Sequence, residues 1–142
     1  MIKRYHHNAS LQKPLLVFDA DCLFCRWWVY RWHCHTGRQV EYTPFQEVQS
    51  QYPSIPTAQF ERAVHLMLPD GSYLLGAEAV LYVLKLAGRY RWWYWSYAHI
   101  PGVRWLCEKT YQHIARHRSF FAKITVFIFG QDPTPRFLRN NT

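Results

Sequence analysis

The chain has 142 residues, 49% hydrophobic and 18% aromatic, with a formal net charge of +8. That is one domain's worth of chain with enough apolar material for a core. Four cysteines are too few for a disulfide scaffold at this length, and no stretch approaches the roughly 18 uninterrupted apolar residues of a membrane span.

Residues 1–13 are polar, and a loosely held N-terminal segment is expected there. Behind Lys3 and Arg4, the place of an apolar signal-peptide region is taken by His6, His7, Asn8, Gln12 and Lys13. No signal peptide is therefore expected, and the setting read from the chain is the reducing cytosol. Leu15 to Phe18 is continuously apolar, as a strand covered on both faces is. Asp19 and Asp21 follow, then Cys22 and Cys25. Asp21 or Cys22 can cap a helix running from Leu23 to about His35, with Leu23, Trp27, Tyr30 and Cys34 on one stripe, Phe24 and Trp28 beside it, and Gly37 stopping it. Val40 to Phe45 reads as a second strand closed by Pro44, which completes a strand–helix–strand unit.

Gln46 to Gln51 is expected to be a short helix broken by Pro53 and Pro56, with a further turn at Thr57 to Glu61. Ala63 to Leu68 and Ser72 to Leu75 are a hairpin around Pro69-Asp70-Gly71. Gly76 to Ala87 is an amphipathic helix with Ala79, Val80, Val83, Leu84 and Ala87 inward, stopped by Gly88. The aromatic run Tyr90 to Tyr97 is expected to pack as a lid across the sheet with its polar tips outward. Val103 to about Arg118 is a helix with Trp105, Leu106, Tyr111 and Ile114 near one face; Phe120 to Phe129 continues it or turns back. Residues 131–142 are expected to be a frayed tail. This order gives an α/β, thioredoxin-like fold over residues 14–130: a four-stranded mixed sheet flanked by helices, with extra C-terminal helices.

The chemistry concentrates where the first strand meets the first helix. Two residues between cysteines at a helix start bring both sulfurs within bonding reach, and the helix N-terminus favours thiolate over thiol. Cys22 is the expected nucleophile and Cys25 the resolving thiol. Asp21 is expected to raise the Cys22 pKa and so to favour a reductant over an oxidant. Asp19 could relay a proton to or from Cys25; alternatively, both aspartates merely satisfy backbone N–H groups in the turn.

Other chemistries use the same residues. Val17-Phe18-Asp19-Ala20-Asp21 matches an aspartate-nucleophile phosphatase motif, which needs a downstream acidic cluster that Asp70 and Asp132 do not supply. Cys22, Cys25, His33, Cys34 and His35 could form a zinc site only if the helix is broken, since Cys34 otherwise stands roughly 13 Å along the axis from Cys25. In an unbroken helix, Cys34 is a buried apolar-face residue and His33 and His35 are a solvated helix end. Cys107 reads as a core residue. No metal and no cofactor is expected.

Asp19-x-Asp21-Cys22-x-x-Cys25 after an apolar strand resembles the signature of the DCC family of predicted thiol–disulfide oxidoreductases. The similarity continues in Gly76-Ala-Glu-Ala-Val, in Ile100-Pro101-Gly102, and in Tyr111, Ile114, Ala115, Arg116 and Arg118, and spans roughly residues 14–121. It implies a thioredoxin-like fold and protein-disulfide reductase activity. Two features depart from the pattern. Ala20-Asp21 stands where Gly-Asp is common, and the cis-proline that thioredoxins carry before the third strand is replaced by Glu61-Arg62-Ala63. Substrate docking is therefore expected to differ from thioredoxin's. Arg118 is expected to cap a helix end or pair with an acidic group.

Charge divides the chain. Residues 1–84 hold 7 Lys/Arg against 7 Asp/Glu, whereas residues 85–142 hold 10 against 2. Together with the interleaved aromatics of Tyr90 to Tyr97, this leaves two readings, a solvated basic face with no partner or a peripheral membrane or acidic-protein contact through residues 89–118, with nucleic acid less favoured. The favoured reading is a cytosolic thiol–disulfide oxidoreductase acting on a protein or small-molecule disulfide and recharged by a thiol reductant. The alternative is a non-catalytic adaptor that docks through its basic, aromatic C-terminal surface.

Overall fold

The computed structural model describes residues 3–4 and 11–130. The expected tail over residues 131–142 lies outside the described residues. Strand β1 is Lys3–Arg4, β2 Leu15–Phe18, β3 Glu41–Pro44, β4 His65–Met67 and β5 Ser72–Leu75. They form one sheet in the order β1-β5-β4-β2-β3. β2 pairs parallel with β3 and antiparallel with β4, and β4 pairs antiparallel with β5. These are the four expected strands of the mixed sheet. The two-residue β1 adds an outer edge against β5, placing Lys3 opposite Tyr73 and Arg4 opposite Ser72.

The uninterrupted apolar run of β2 is explained by what lies on each side of it. Leu16 and Phe18 face one core with Val29, Tyr42, Leu66, Ala79 and Val83. Leu15 and Val17 face the other with Phe45, Tyr52, Phe60 and Met67. Successive strand residues point to opposite faces, so a strand covered on both must be apolar throughout.

Helix α1 (Leu23–Thr36) and helix α4 (Gly76–Leu86) cover the first face. The second is covered by α2 (Phe45–Val48), a 3-10 turn at Gln49–Gln51, and α3 (Thr57–Arg62), where Phe45 stacks on Phe60. Three further helices follow: α5 (Arg91–His99), α6 (Pro101–Arg116) and α7 (Arg118–Phe129). α5 packs on α4 and α6, and α7 turns back onto α1 after the break at His117. Among the described residues, no helix is long and apolar enough to cross a membrane.

Several expected placements change. Tyr90 to Tyr97 is not a lid across the sheet. Most of it is helix α5, which buries Tyr97, half-buries Tyr94, and leaves Trp92, Trp93 and Trp95 exposed. A helix of this length has one inward stripe, and Tyr94 and Tyr97, three residues apart, take it. Trp105 and Leu106 on α6 are exposed as well, while Tyr111 and Ile114 of the same helix turn toward the protein. On α1 the fully buried apolar residue is Val29, and Cys34 is exposed instead of buried. His35 is exposed as expected. His33 packs edge-on against the Tyr42 ring and is half-buried instead of solvated, and that burial lowers its pKa. Cys107 is only partly buried.

Candidate active site

Between β2 and α1 the chain turns through Asp19, Ala20 and Asp21. Asp19 Oδ1 accepts the Asp21 backbone N–H at 3.0 Å, an Asx-type turn. Gln46, in the first turn of α2, reaches across. Its Nε2 donates to Asp19 Oδ1 at 2.9 Å and to Asp21 Oδ2 at 3.4 Å, and its Oε1 accepts the Ala20 N–H at 3.4 Å. From the other side, Arg26 Nη1 donates to the Ala20 carbonyl at 2.5 Å. The acidic turn is thus clamped by one amide and one guanidinium, and both aspartates serve as acceptors there.

Cys22 caps α1. Its backbone is extended (φ −93°, ψ 109°), and its Sγ accepts the Cys25 N–H at 3.3 Å. The Cys25 side chain donates to it too, and these hydrogen bonds, with a smaller contribution from the Arg118 charge, bring the Cys22 thiol down to about 6 from its ordinary 9.0. Burial and the Asp19 carboxylate oppose the shift without reversing it. The expected Asp21 effect is therefore corrected: Cys22 is lowered, and the opposing carboxylate is Asp19. Cys25 behaves inversely. The proton it lends to Cys22, together with its burial, pushes its pKa far up. The two thiols of the pair are thus shifted in opposite directions, Cys22 down and Cys25 up.

Cys25 borders a small apolar pocket of about 40 Å³, lined also by Phe24, Trp28, Val64, Tyr111 and Arg118. Four residues of the C-terminal helices, Tyr111, Ile114, Ala115 and Arg118, thereby reach the wall beside Cys25. Tyr111 Oη accepts the Val64 N–H at 3.1 Å, just before β4, while the Val64 carbonyl accepts the Gly76 N–H at 3.2 Å. Burial pushes the Tyr111 hydroxyl up to about 12, so it stays protonated. Arg118 opens α7 and anchors one arm by donating from Nη2 to the Arg62 carbonyl at 2.7 Å. From there its charge helps to lower Cys22 and only partly offsets the rise of Cys25 and Tyr111. Arg118 thus takes the first of its two expected roles, capping the end of α3, whose last residue is Arg62. Beside this wall lies an open basin of about 810 Å³, lined by Arg62, Gly76, Tyr111, Gln112 and Arg118 among others.

The peptide bonds of the described residues are all trans, including the Glu61-Arg62-Ala63 entry to β4. α1 is unbroken from Leu23 to Thr36, so Cys34 and the histidines at its end stay apart from the dithiol. Among the described residues, no group of three or more His, Cys, Asp or Glu could hold a metal ion.

The structure therefore brings together Cys22, Cys25, Asp19 and Asp21, and adds Gln46, Tyr111 and Arg118. Gln46 carries no sequence signal, because a polar residue after a strand is ordinary. Tyr111 and Arg118 were named through the family resemblance, but nothing local ties them to a dithiol some ninety residues upstream. A family model described as DCC1-like thiol–disulfide oxidoreductase matches residues 16–123, which include all seven. No curated protein and no solved structure matches the chain.

Proposed function

The chain belongs to the DCC1-like thiol–disulfide oxidoreductase family, and from that premise we propose that it is a protein-disulfide reductase working through Cys22 and Cys25. The observation that carries this reading is the N-cap geometry of Cys22, whose sulfur accepts the Cys25 N–H and ionises near pH 6. The Cys22 thiolate attacks one sulfur of the target disulfide. That S–S bond breaks, a mixed disulfide forms on Cys22, and the departing thiolate takes up a proton. Cys25 then loses its proton and attacks Cys22 Sγ. The second target thiol is released, and two electrons have passed from the dithiol to the target. Asp19, whose charge acts on both sulfurs, is the group we assign to receive the Cys25 proton in that second step. Asp21 serves with Gln46 to hold the turn.

A pKa near 6 also bears on direction. Reducing dithiol proteins have an attacking thiol near about 7 and strongly oxidising ones near about 3.5, so Cys22 stands closer to the reductants. A reductant needs a compartment that keeps it reduced, and the cytosol is the one this reading implies, with a cellular thiol as electron donor.

The test is insulin-disulfide reduction driven by a small dithiol. Wild type is expected to accelerate it and Cys22→Ser to fall to background. Cys25→Ser is expected to stall as a mixed disulfide on Cys22, visible by mass spectrometry. Full activity in Cys22→Ser would refute the reading.

A further inference from the structure

Among the described residues, every exposed large apolar side chain lies between Tyr90 and Phe129. Six of them, Trp92, Trp93, Trp95, Ile100, Trp105 and Leu106, sit on α5 and the first turns of α6, each between 41% and 63% exposed. Only Ile100 stands between the two helices, so this is one corner of the molecule. The rings lie against each other at the surface: Trp92 stacks on Trp93 at 4.3 Å between centroids and Trp95 on His99 at 4.9 Å. Lys85 and Arg91 line the same shallow hollow, about 370 Å³, as Trp92, Trp95 and His99.

Charge says what this corner fits. On and beside these two helix segments stand Lys85, Arg89, Arg91 and Arg104, against Glu78, whose charge acts on Tyr94 and Tyr97, and Glu108. Glu108 is itself occupied, accepting the Tyr97 hydroxyl at 2.5 Å. A second copy of the chain would bring two cationic faces together, which repel. A protein partner needs a surface shaped to separate rings spread over two helices, whereas a lipid headgroup layer needs no such complementarity. Tryptophan concentrates in that layer, and an amphipathic helix with cations on its flanks lies flat in it. We propose that α5 and the start of α6 seat the protein on an anionic bilayer surface, with Trp92, Trp95 and Trp105 in the headgroup layer and Arg91 and Arg104 facing lipid phosphates. The proposal is independent of the dithiol chemistry.

The experiment is co-sedimentation of the full chain with phosphatidylcholine vesicles and with vesicles that also contain phosphatidylserine, at low and high salt. Preferential binding to the phosphatidylserine vesicles is expected, weakened by salt. Tryptophan emission is expected to be quenched by brominated acyl chains. Replacing Trp92, Trp95 and Trp105 together by Ser should abolish both readouts, and Arg91→Ala alone should weaken binding about fivefold. Circular dichroism and thermal melting verify that the variants are folded. Absence of binding to either vesicle, or binding that the triple variant retains, overturns the proposal. So does light scattering that shows a dimer in place of vesicle binding, or capture by polyglutamate without capture by phosphatidylserine, which would assign the corner to a second copy or to an acidic protein.

Discussion

Leu16, Leu66 and Val83 are sealed between the sheet and its helices, while Trp92, Trp95 and Trp105, each larger and richer in apolar surface, are more than half exposed. The contrast runs along the chain. Residues 11–89 spend their large apolar side chains on two cores either side of β2, and residues 90–129 put many of theirs outside. Composition treats both alike, so 49% hydrophobic overstates the core. The first region supplies stability and the second supplies surface. The sharpest way to break that division is to truncate one side chain of each kind. Leu66→Ala is expected to cost about 2–5 kcal/mol, the range for a sealed core leucine. Trp92→Ser should stay within about 0.5 kcal/mol, as exposed substitutions do. Urea denaturation measures both, and equal losses would mean that the aromatic corner is core after all.

The two regions meet at Gly76. Its φ of +57° is left-handed, and a Cβ there would stand 3.3 Å from two carbons of the Tyr111 ring. Gly76→Ala therefore carries backbone strain of about 1–3 kcal/mol and also crowds the Tyr111 ring, whose hydroxyl accepts the Val64 N–H. Gly88→Ala is the matching control, since φ there is +74° with nothing within 4 Å of the added carbon. Both variants are expected to lose stability on thermal melting. Only Gly76→Ala should also slow disulfide reduction, because only there does the added methyl reach the wall of the dithiol. Equal kinetics in the two would separate Tyr111 from the site.

These positions show how far the sequence could be read. β2, α1, the β4–β5 hairpin and α4 were legible because each has its own signal: an apolar run, a helical period closed by Gly37, a Pro-Asp-Gly turn, and a second period closed by Gly88. Cys22 and Cys25 were legible because their spacing at a strand–helix junction is local. The convergence of Gly76, Tyr111 and Arg118 was not. Each belongs to a different helix, and their common surface exists only once α6 and α7 pack against the earlier elements. The same holds for Trp105 and Leu106. A helical period shows which residues share a face, but whether that face meets a neighbour or solvent depends on tertiary packing. Lys3–Arg4 is too short to carry a period at all, and pairs only because β5 offers an open edge.

The smallest expected effect concerns how much the helical region contributes to the chemistry of the other. Cys22 ionises near 6 in the folded protein against 9.0 ordinarily. Between those pH values the unfolded chain holds a proton that the folded one has released, so the stability of the reduced protein should rise with pH across that window. Cys25 has the opposite sign. Its folded pKa is raised, so its contribution diminishes once the unfolded thiol ionises, above about pH 9. Thermal melting of the reduced protein against Cys22→Ser isolates the first effect, and the rate of alkylation by iodoacetamide should show a midpoint near 6. Arg118→Gln keeps an amide to donate to the Arg62 carbonyl but removes the charge. Because that charge ranks behind the Cys25 hydrogen bonds, the midpoint should move upward by less than those bonds account for. A midpoint unchanged in Arg118→Gln would reduce Arg118 to a strut between α7 and Arg62, and would leave the dithiol tuned by its own helix alone.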